Sequence, residues 1–253
     1  GSNGKTTTTS LVYKIMRDAG MNAALGGNIG ESFAYSVATG DYDWYVLELS
    51  SFQLDGMFRF RAHIGVLMNI TPDHLDRYGH CFQNYVDSKM RITQNQNSRD
   101  YFVYSGDDEV IWQQLPRYDL RMKQLPFAAK NAVASGAGDA FLCDGKFTAA
   151  VGKASVEIDT AKMQLKGLHN AYNAMAAALA TLAAGVAPAS IRRSIYGFAP
   201  VCHRLEPVRE SGGVLWINDS KATNVDSVYY ALESMTRPVV WICLLYTSDA
   251  ADD

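Results

Sequence analysis

What the chain lacks narrows the field first. Cysteine is scarce: Cys81, Cys143, Cys202 and Cys243 lie far apart and none forms a CxxC pair. Neither a zinc site nor a disulfide framework is suggested. No apolar run reaches the roughly 18 residues that a membrane-spanning helix requires. The Ala-rich stretch 171–187 comes nearest, but Asn173 and Thr181 interrupt it, so it reads as a buried helix of a soluble domain. An excess of one charge is missing too: 23 basic residues face 26 acidic ones, for a net charge of −3. That balance favours neither a nucleic acid nor a membrane surface as partner. No secretory leader is recognised, no segment repeats, and a reducing cytoplasm is the expected setting.

What remains is an ordinary globular composition. The 253 residues, 48% hydrophobic and 19% charged, suffice for one large domain or two modest ones. Residues 7–19 carry helical apolar spacing (Leu11, Val12, Ile15, Met16) and stop at Gly20. Residues 44–49 (WYVLEL) and 64–68 (IGVLM) read as buried parallel strands. A helix is expected over 84–94 and a strand over 101–104. Short alternating pieces at 140–143, 146–150 and 155–158 suggest an antiparallel edge. Helices are expected over 170–184 and 189–196, with a hinge at Pro200. Strands at 214–217 and 239–242, with a helix at 225–233 between them, predict a βαβ unit.

The chain opens GSNGKTTTT. Gly4-Lys5-Thr6 ends the pattern GxxxxGK[ST], in which backbone N–H groups and a helix N-terminus cradle phosphates. In that pattern Lys5 reaches the β- and γ-phosphates and Thr6 ligates Mg²⁺. The alternative is a Gly-rich turn with an ordinary surface lysine.

Three further stretches bear on that choice. In ELSSFQL, Glu48 ends an apolar strand, where open α/β sheets place ligands. A buried acid costs several kcal/mol unless paired or metal-bound, so Glu48 is either a Mg²⁺ ligand or a salt-bridged strand end. In NITPDHLDRYG, residues 69–79, polar groups follow the next strand and should open on the same edge. His74 there suits a metal, a carboxylate or a phosphate, though a lone His is more often structural. Lys89, in DSKMR, reads by itself as a helix-surface lysine.

GSNGKTTTT, GGNIG (26–30), ELSSFQL, NITPDHLDRYG, the Ser88-Lys89 pair, GLHNAYNAMAA (167–177), and HRLE followed by WINDSKATN stand in one order. Together they closely resemble the Mur ligases of peptidoglycan synthesis, and within them the branch that adds D-glutamate. The resemblance runs from Gly1 to about Ile242. It implies an α/β fold: a central P-loop ATP-binding domain over 1–200 with a mostly parallel sheet flanked by helices, then the truncated start of a Rossmann-like C-terminal domain over 201–243. The family's UDP-binding domain is not represented, so the chain is expected to be a fragment beginning inside the phosphate loop. The tail CLLYTSDAADD shares nothing with the family; residues 244–253 stay unplaced and are expected to be an assembly or read-through artefact.

The resemblance also implies a reaction and a cast. ATP would activate the carboxylate of UDP-N-acetylmuramoyl-L-alanine as an acyl phosphate, and D-glutamate would displace phosphate. Gly1, Asn3, Gly4, Lys5, Thr6 and Thr7 match the phosphate loop. Thr6, Glu48, His74 and Lys89 match the surroundings of two Mg²⁺ ions, and the family lysine at Lys89 carries a carbamate. Lys5, Glu48, His74 and Lys89 are the expected catalytic set. Asn28, Ser50 and His74 match the muramoyl-alanine end. Asn173 matches an adenine contact and Asn170 its neighbour, unless Asn170 is a helix cap. Arg204 and Asp219 match nucleotide contacts, Arg204 having a surface ion pair as its alternative. Lys221 faces the same cleft, and Thr223 matches a D-glutamate contact. A monomer is expected, inactive as a fragment. The rivals are a sister ligase or folylpolyglutamate synthase, and an ATP-binding remnant without ligase activity. A kinase or GTPase fits less well, since no guanine-reading NKxD occurs.

Overall fold

The computed structural model describes residues 1–130, 138–199, 205–222 and 225–243. The phosphate loop runs straight into α1 (Lys5–Asp18), which is followed by β1 (Ala23–Gly27), α2 (Phe33–Thr39), β2 (Trp44–Glu48), α3 (Ser51–Asp55) and β3 (Ile64–Leu67). Next come α4 (Phe82–Met90), β4 (Tyr101–Ser105), α5 (Glu109–Gln114) and β5 (Lys123–Ala128). An antiparallel run, β6 (Gly138–Cys143), β7 (Lys146–Val151) and β8 (Ala154–Asp159), leads to α6 (Leu168–Ala183) and α7 (Pro188–Tyr196). A last group holds β9 (Glu206–Ser211), β10 (Val214–Asn218) and α8 (Val225–Glu233).

The large sheet has the order β3-β4-β5-β6-β7-β8, parallel from β3 to β6 and antiparallel from β6 to β8. β1 and β2 form a separate parallel pair. Successive side chains of a strand point to opposite faces, and β4 shows the result. Val103 enters one core with Leu11, Ile15 and Leu179 of α1 and α6. Phe102 and Tyr104 enter the other, with Tyr85 and Val86 of α4 and Ile111 of α5. Each such Leu, Ile or Phe contributes roughly 1.5–3 kcal/mol of burial. The sheet is therefore sandwiched between helical layers, the mostly parallel α/β architecture expected. The Ala-rich segment is the buried helix α6; its small side chains let it lie close on both α1 and the sheet.

Two expectations are corrected. Residues 239–242 form no strand: they are irregular and 48–90% exposed. A strand needs a ladder partner, and among the described residues none lies beside them. β10 instead pairs antiparallel with β9. The two-residue turn between them is Gly212-Gly213, both at positive φ (59° and 76°), the backbone that short hairpins favour. The βαβ unit is thus a hairpin followed by a helix. The helix over 84–94 also divides at Met90, its last turn tightening to a 3₁₀ turn over Arg91–Thr93.

Candidate active site

The phosphate loop is held by the segment that follows β3. The Ser2 N–H donates to the Asn69 carbonyl at 3.0 Å. The Asn3 N–H donates to Asn69 Oδ1 at 2.8 Å, and Asn69 Nδ2 returns a bond to the Asn3 carbonyl at 3.1 Å. Ser2 Oγ donates to the Thr71 carbonyl (2.9 Å) and accepts from the Thr71 N–H (3.0 Å). Gly4 then takes a left-handed conformation, φ 80°, which only Gly adopts cheaply. A Cβ there would lie 2.4 Å from Asn173 Oδ1.

That contact fixes Asn173. Its Oδ1 accepts from Thr8 Oγ1 at 3.2 Å, and its Nδ2 donates to Asn170 Oδ1 at 3.1 Å. Asn170 Nδ2 donates in turn to the Lys166 carbonyl at 2.8 Å. Both Asn residues are buried, and the pair joins the base of the phosphate loop to the start of α6. The cap of α6 is Gly167, so the alternative role of Asn170 as the helix cap is overturned.

Lys5, at the first turn of α1, donates from Nζ to the Ser2 carbonyl at 2.8 Å. Gly1, Lys5, Glu48 and Lys89 all line one cavity of about 510 Å³. Thr6 and Thr7 sit beside Lys5 in the same turn, Thr7 buried. Glu48 is 3% exposed. Its Oε1 accepts from Asn28 Nδ2 at 3.0 Å, while Oε2 is buried with no hydrogen-bond partner among the described residues. Among the described residues no basic side chain forms an ion pair with it, so the salt-bridged reading fails. A buried carboxylate oxygen left empty fits a cation, because its desolvation is otherwise uncompensated. The GGNIG turn makes this arrangement: Gly27, at φ 97°, lies so close to the Glu48 carbonyl that a Cβ would meet it at 2.2 Å. The Asn28 N–H donates to that same carbonyl at 2.9 Å.

Lys89 corrects the surface-lysine reading. It is 4% exposed, with its ammonium 4.3 Å from the centre of the Tyr85 ring. Burial, with the positive charge of Lys5 nearby, lowers its pKa to about 7; the negative charge of Asp73 opposes this. A neutral amine is therefore accessible near pH 7. Such an amine can add to CO₂, forming an N–C bond and releasing a proton, which turns a cation into an anionic oxygen ligand. Among the described residues no three His, Cys, Asp or Glu side chains converge. A metal here would rest on Glu48 with oxygen donors of other kinds, such as Thr6 and a carbamate.

The other expected residues lie at varying removes. His74 has a left-handed backbone, φ 49°, with Nε2 3.7 Å from Asp73 Oδ2 and its ring 5.3 Å from that of Phe52. Ser50 caps α3 through a reciprocal capping box with Gln53. Asp219 Oδ1 accepts from the Leu205 N–H at 3.0 Å. Lys221 is exposed, and neither residue lines the cavity. Arg204 and Thr223 lie outside the described residues. Sequence reasoning singled out the loop that holds Asn69 and Asp73 without giving either residue a role, and missed Tyr85 as a site builder. Asn69 carried a signal, a polar residue at the end of an apolar strand. Tyr85, at apolar helix spacing, carried none.

Residues 1–181 match the Mur ligase middle domain. The chain belongs to the Mur ligase family. It is 49% identical over 244 residues to the UDP-N-acetylmuramoylalanine–D-glutamate ligase of Bacteroides thetaiotaomicron, and 44% identical over 243 to that of Porphyromonas gingivalis. Each alignment covers 96% of this chain but 54% of the relative, so the chain spans about half the length of the curated relatives it matches. Among solved structures, a MurF ligase from Thermotoga maritima in complex with ADP superposes with a TM-score of 0.66 at 21% identity, covering 92% of this chain and 55% of that one. MurF from Acinetobacter baumannii gives 0.69 at 17%, covering 92% and 52%. At such identities the Mur ligase likeness is one of fold. No helix among the described residues is long and apolar enough to cross a membrane.

Proposed function

We propose that this chain is the nucleotide-handling part of an ATP-dependent ligase that joins D-glutamate to UDP-N-acetylmuramoyl-L-alanine in cytoplasmic peptidoglycan synthesis. The observation that carries the reading is one cavity shared by a phosphate-loop lysine, a buried carboxylate with an empty oxygen, and a buried lysine that is readily neutral. The relatives at 44–49% identity, all D-glutamate ligases by name, favour this branch over its sisters.

The reaction must bring two anions together. The substrate carboxylate oxygen bonds to the γ-phosphorus as the bond to ADP breaks; the D-glutamate amine then attacks the acyl carbon, loses a proton, and phosphate leaves with the C–O bond. The backbone from Gly1 to Thr7 surrounds the phosphates, and Lys5 balances charge on the transferring group. Thr6, Glu48, His74 and a carbamylated Lys89 are the residues that would hold Mg²⁺, two ions in all. When bound, Mg²⁺ neutralises and orients the two anions. Asn28, Ser50 and His74 face the muramoyl-alanine end. Asn170 and Asn173 support the nucleotide beneath the loop, Arg204 and Asp219 approach it from residues 201–243, and Lys221 and Thr223 serve D-glutamate. The working enzyme is a monomer that needs no nucleic acid and no membrane insertion.

A phosphate-release assay tests this on the longer protein that contains the chain. Release requires UDP-N-acetylmuramoyl-L-alanine and D-glutamate together, and L-alanine or a diamino acid does not replace D-glutamate. ATP binding without D-glutamate-dependent release would leave only a nucleotide-binding module.

A further inference from the structure

Three of the residues expected around a metal sit on three separate segments. Glu48 ends β2 and leads through Ser50 into α3, His74 heads the 3₁₀ turn Leu75–Tyr78, and Lys89 lies on α4. α3 and α4 are tied directly. Ser88 Oγ donates to the Ser51 carbonyl at 3.0 Å, and Arg91 Nε, just past α4, donates to the Leu54 carbonyl at 2.9 Å. The turn must be held against this pair, and its backbone resists. His74 at φ 49° and His80 at φ 54° take the left-handed conformation on either side of it, which is unfavourable for an L-residue. A contact outside the turn has to offset that cost.

Tyr78 is placed to do so. Its hydroxyl donates to Asp55 Oδ2 of α3 at 2.9 Å and lies 3.2 Å from Ser88 Oγ of α4, next to Lys89. Its ring stacks on Phe52 of α3, with 6.1 Å between centroids and 7° between planes, and meets Tyr85 of α4 edge-on at 5.3 Å. The His74 ring and the Arg77 guanidinium approach the same Phe52 ring, at 5.3 and 5.1 Å. Side chains 74, 77 and 78 of the turn thus gather round one aromatic residue of α3.

We infer that Tyr78 is a positioning residue for the metal site. It locks the turn onto the α3–α4 pair, and so fixes His74 relative to Glu48 and Lys89. The inference rests on the metal site proposed above. The phosphate loop does not depend on Tyr78, since Ser2 and Asn3 are held by Asn69 and Thr71, upstream of the turn.

Two variants and a control test it. Tyr78→Phe removes the hydroxyl and keeps the stacking ring; Asp55→Ala removes the acceptor from an exposed position. The control, Tyr118→Phe, deletes a like bond to the same helix, Tyr118 to Asp87 Oδ1 at 2.7 Å, and neither residue lines the cavity. The Arg77 and His80 N–H groups close the turn on the His74 and Leu75 carbonyls. In the metal-free chain their exchange should quicken by about threefold to tenfold in both variants. The His74 ring protons, identified with His74→Gln and shifted by the Phe52 ring, should move toward their unfolded NMR positions. In calorimetry the strengthening of ADP binding by Mg²⁺ should fall by about threefold or more, with Mg²⁺-free binding within about twofold of wild type. The control should change none of these. Wild-type exchange and ring signals in Tyr78→Phe, or equal changes in Tyr118→Phe, would overturn the inference. So would a freed turn with the Mg²⁺ effect intact, because Tyr78 would then be structural alone. Indifference to Mg²⁺ already in the wild type would overturn the metal site itself and the inference with it; the other outcomes leave that site standing.

Discussion

Gly4→Ala tests how the phosphate loop is seated. At φ 80° an L-residue pays about 1–2 kcal/mol for the left-handed backbone alone. The new Cβ would also stand 2.4 Å from Asn173 Oδ1, so the amide must turn. Turning it breaks the bonds to Thr8 at 3.2 Å and Asn170 at 3.1 Å. Leaving such buried groups unsatisfied costs about 1–3 kcal/mol. The total is roughly 2–5 kcal/mol, or a fall in melting temperature of about 4–20 °C for a chain of this size. Adding Asn173→Ala removes the clash but not the backbone strain. The double variant should therefore lose less than the sum of the two single variants, by about 1–3 kcal/mol. Thermal and urea unfolding of the four proteins measures this. A Gly4→Ala loss below about 0.5 kcal/mol, or strict additivity, would refute the reasoning.

Lys89→Met should stabilise the protein at pH 6.5 and lose that advantage toward pH 10. The folded pKa of about 7 lies below the unfolded value of 10.5, so the unfolded state binds more protons between them and stability rises with pH there. The gain at low pH is on the order of a few kcal/mol, and melting curves at the two pH values check its sign. With ¹³C-bicarbonate near neutral pH, the wild type should show a carbamate carbon signal by NMR that Lys89→Arg lacks. Asn69→Ala deletes the reciprocal pair with Asn3 and should cost about 2 kcal/mol, with faster amide exchange confined to the loop and α1. Ser50→Ala removes the capping box of α3, about 1 kcal/mol by chemical unfolding.

The parts legible in the sequence were those with local signals. The apolar runs at 44–49 and 64–68, the Ala-rich helix and the alternating edge strands each declare themselves by period or length, and all formed. β1 and β5 went unread: AALGG is short and Gly-ended, and KQLPFA carries a proline. The 239–242 run was misread because apolarity marks a segment that could be a strand, while the ladder depends on a neighbour that local sequence does not specify. The same limit applied to the site. Lys5 and Glu48 were legible because a loop pattern and an acid in an apolar run are anomalies in themselves. The burial of Lys89 was not: it follows from α4 packing Tyr85 and Lys89 inward, a fact of three dimensions. Asn173 matched a nucleotide contact by sequence, yet its bonds to Thr8 and Asn170 appear only once α6 is laid against the loop.

The central claim is that the phosphate loop, Glu48 and Lys89 form one metal-nucleotide site. Calorimetric titration of the chain with ADP, with and without Mg²⁺, tests it most directly when repeated on Lys5→Ala and Glu48→Gln. The account predicts binding strengthened by Mg²⁺, weakened about tenfold or more in Lys5→Ala, and indifferent to Mg²⁺ in Glu48→Gln. Equal, Mg²⁺-independent binding by all three proteins would contradict it.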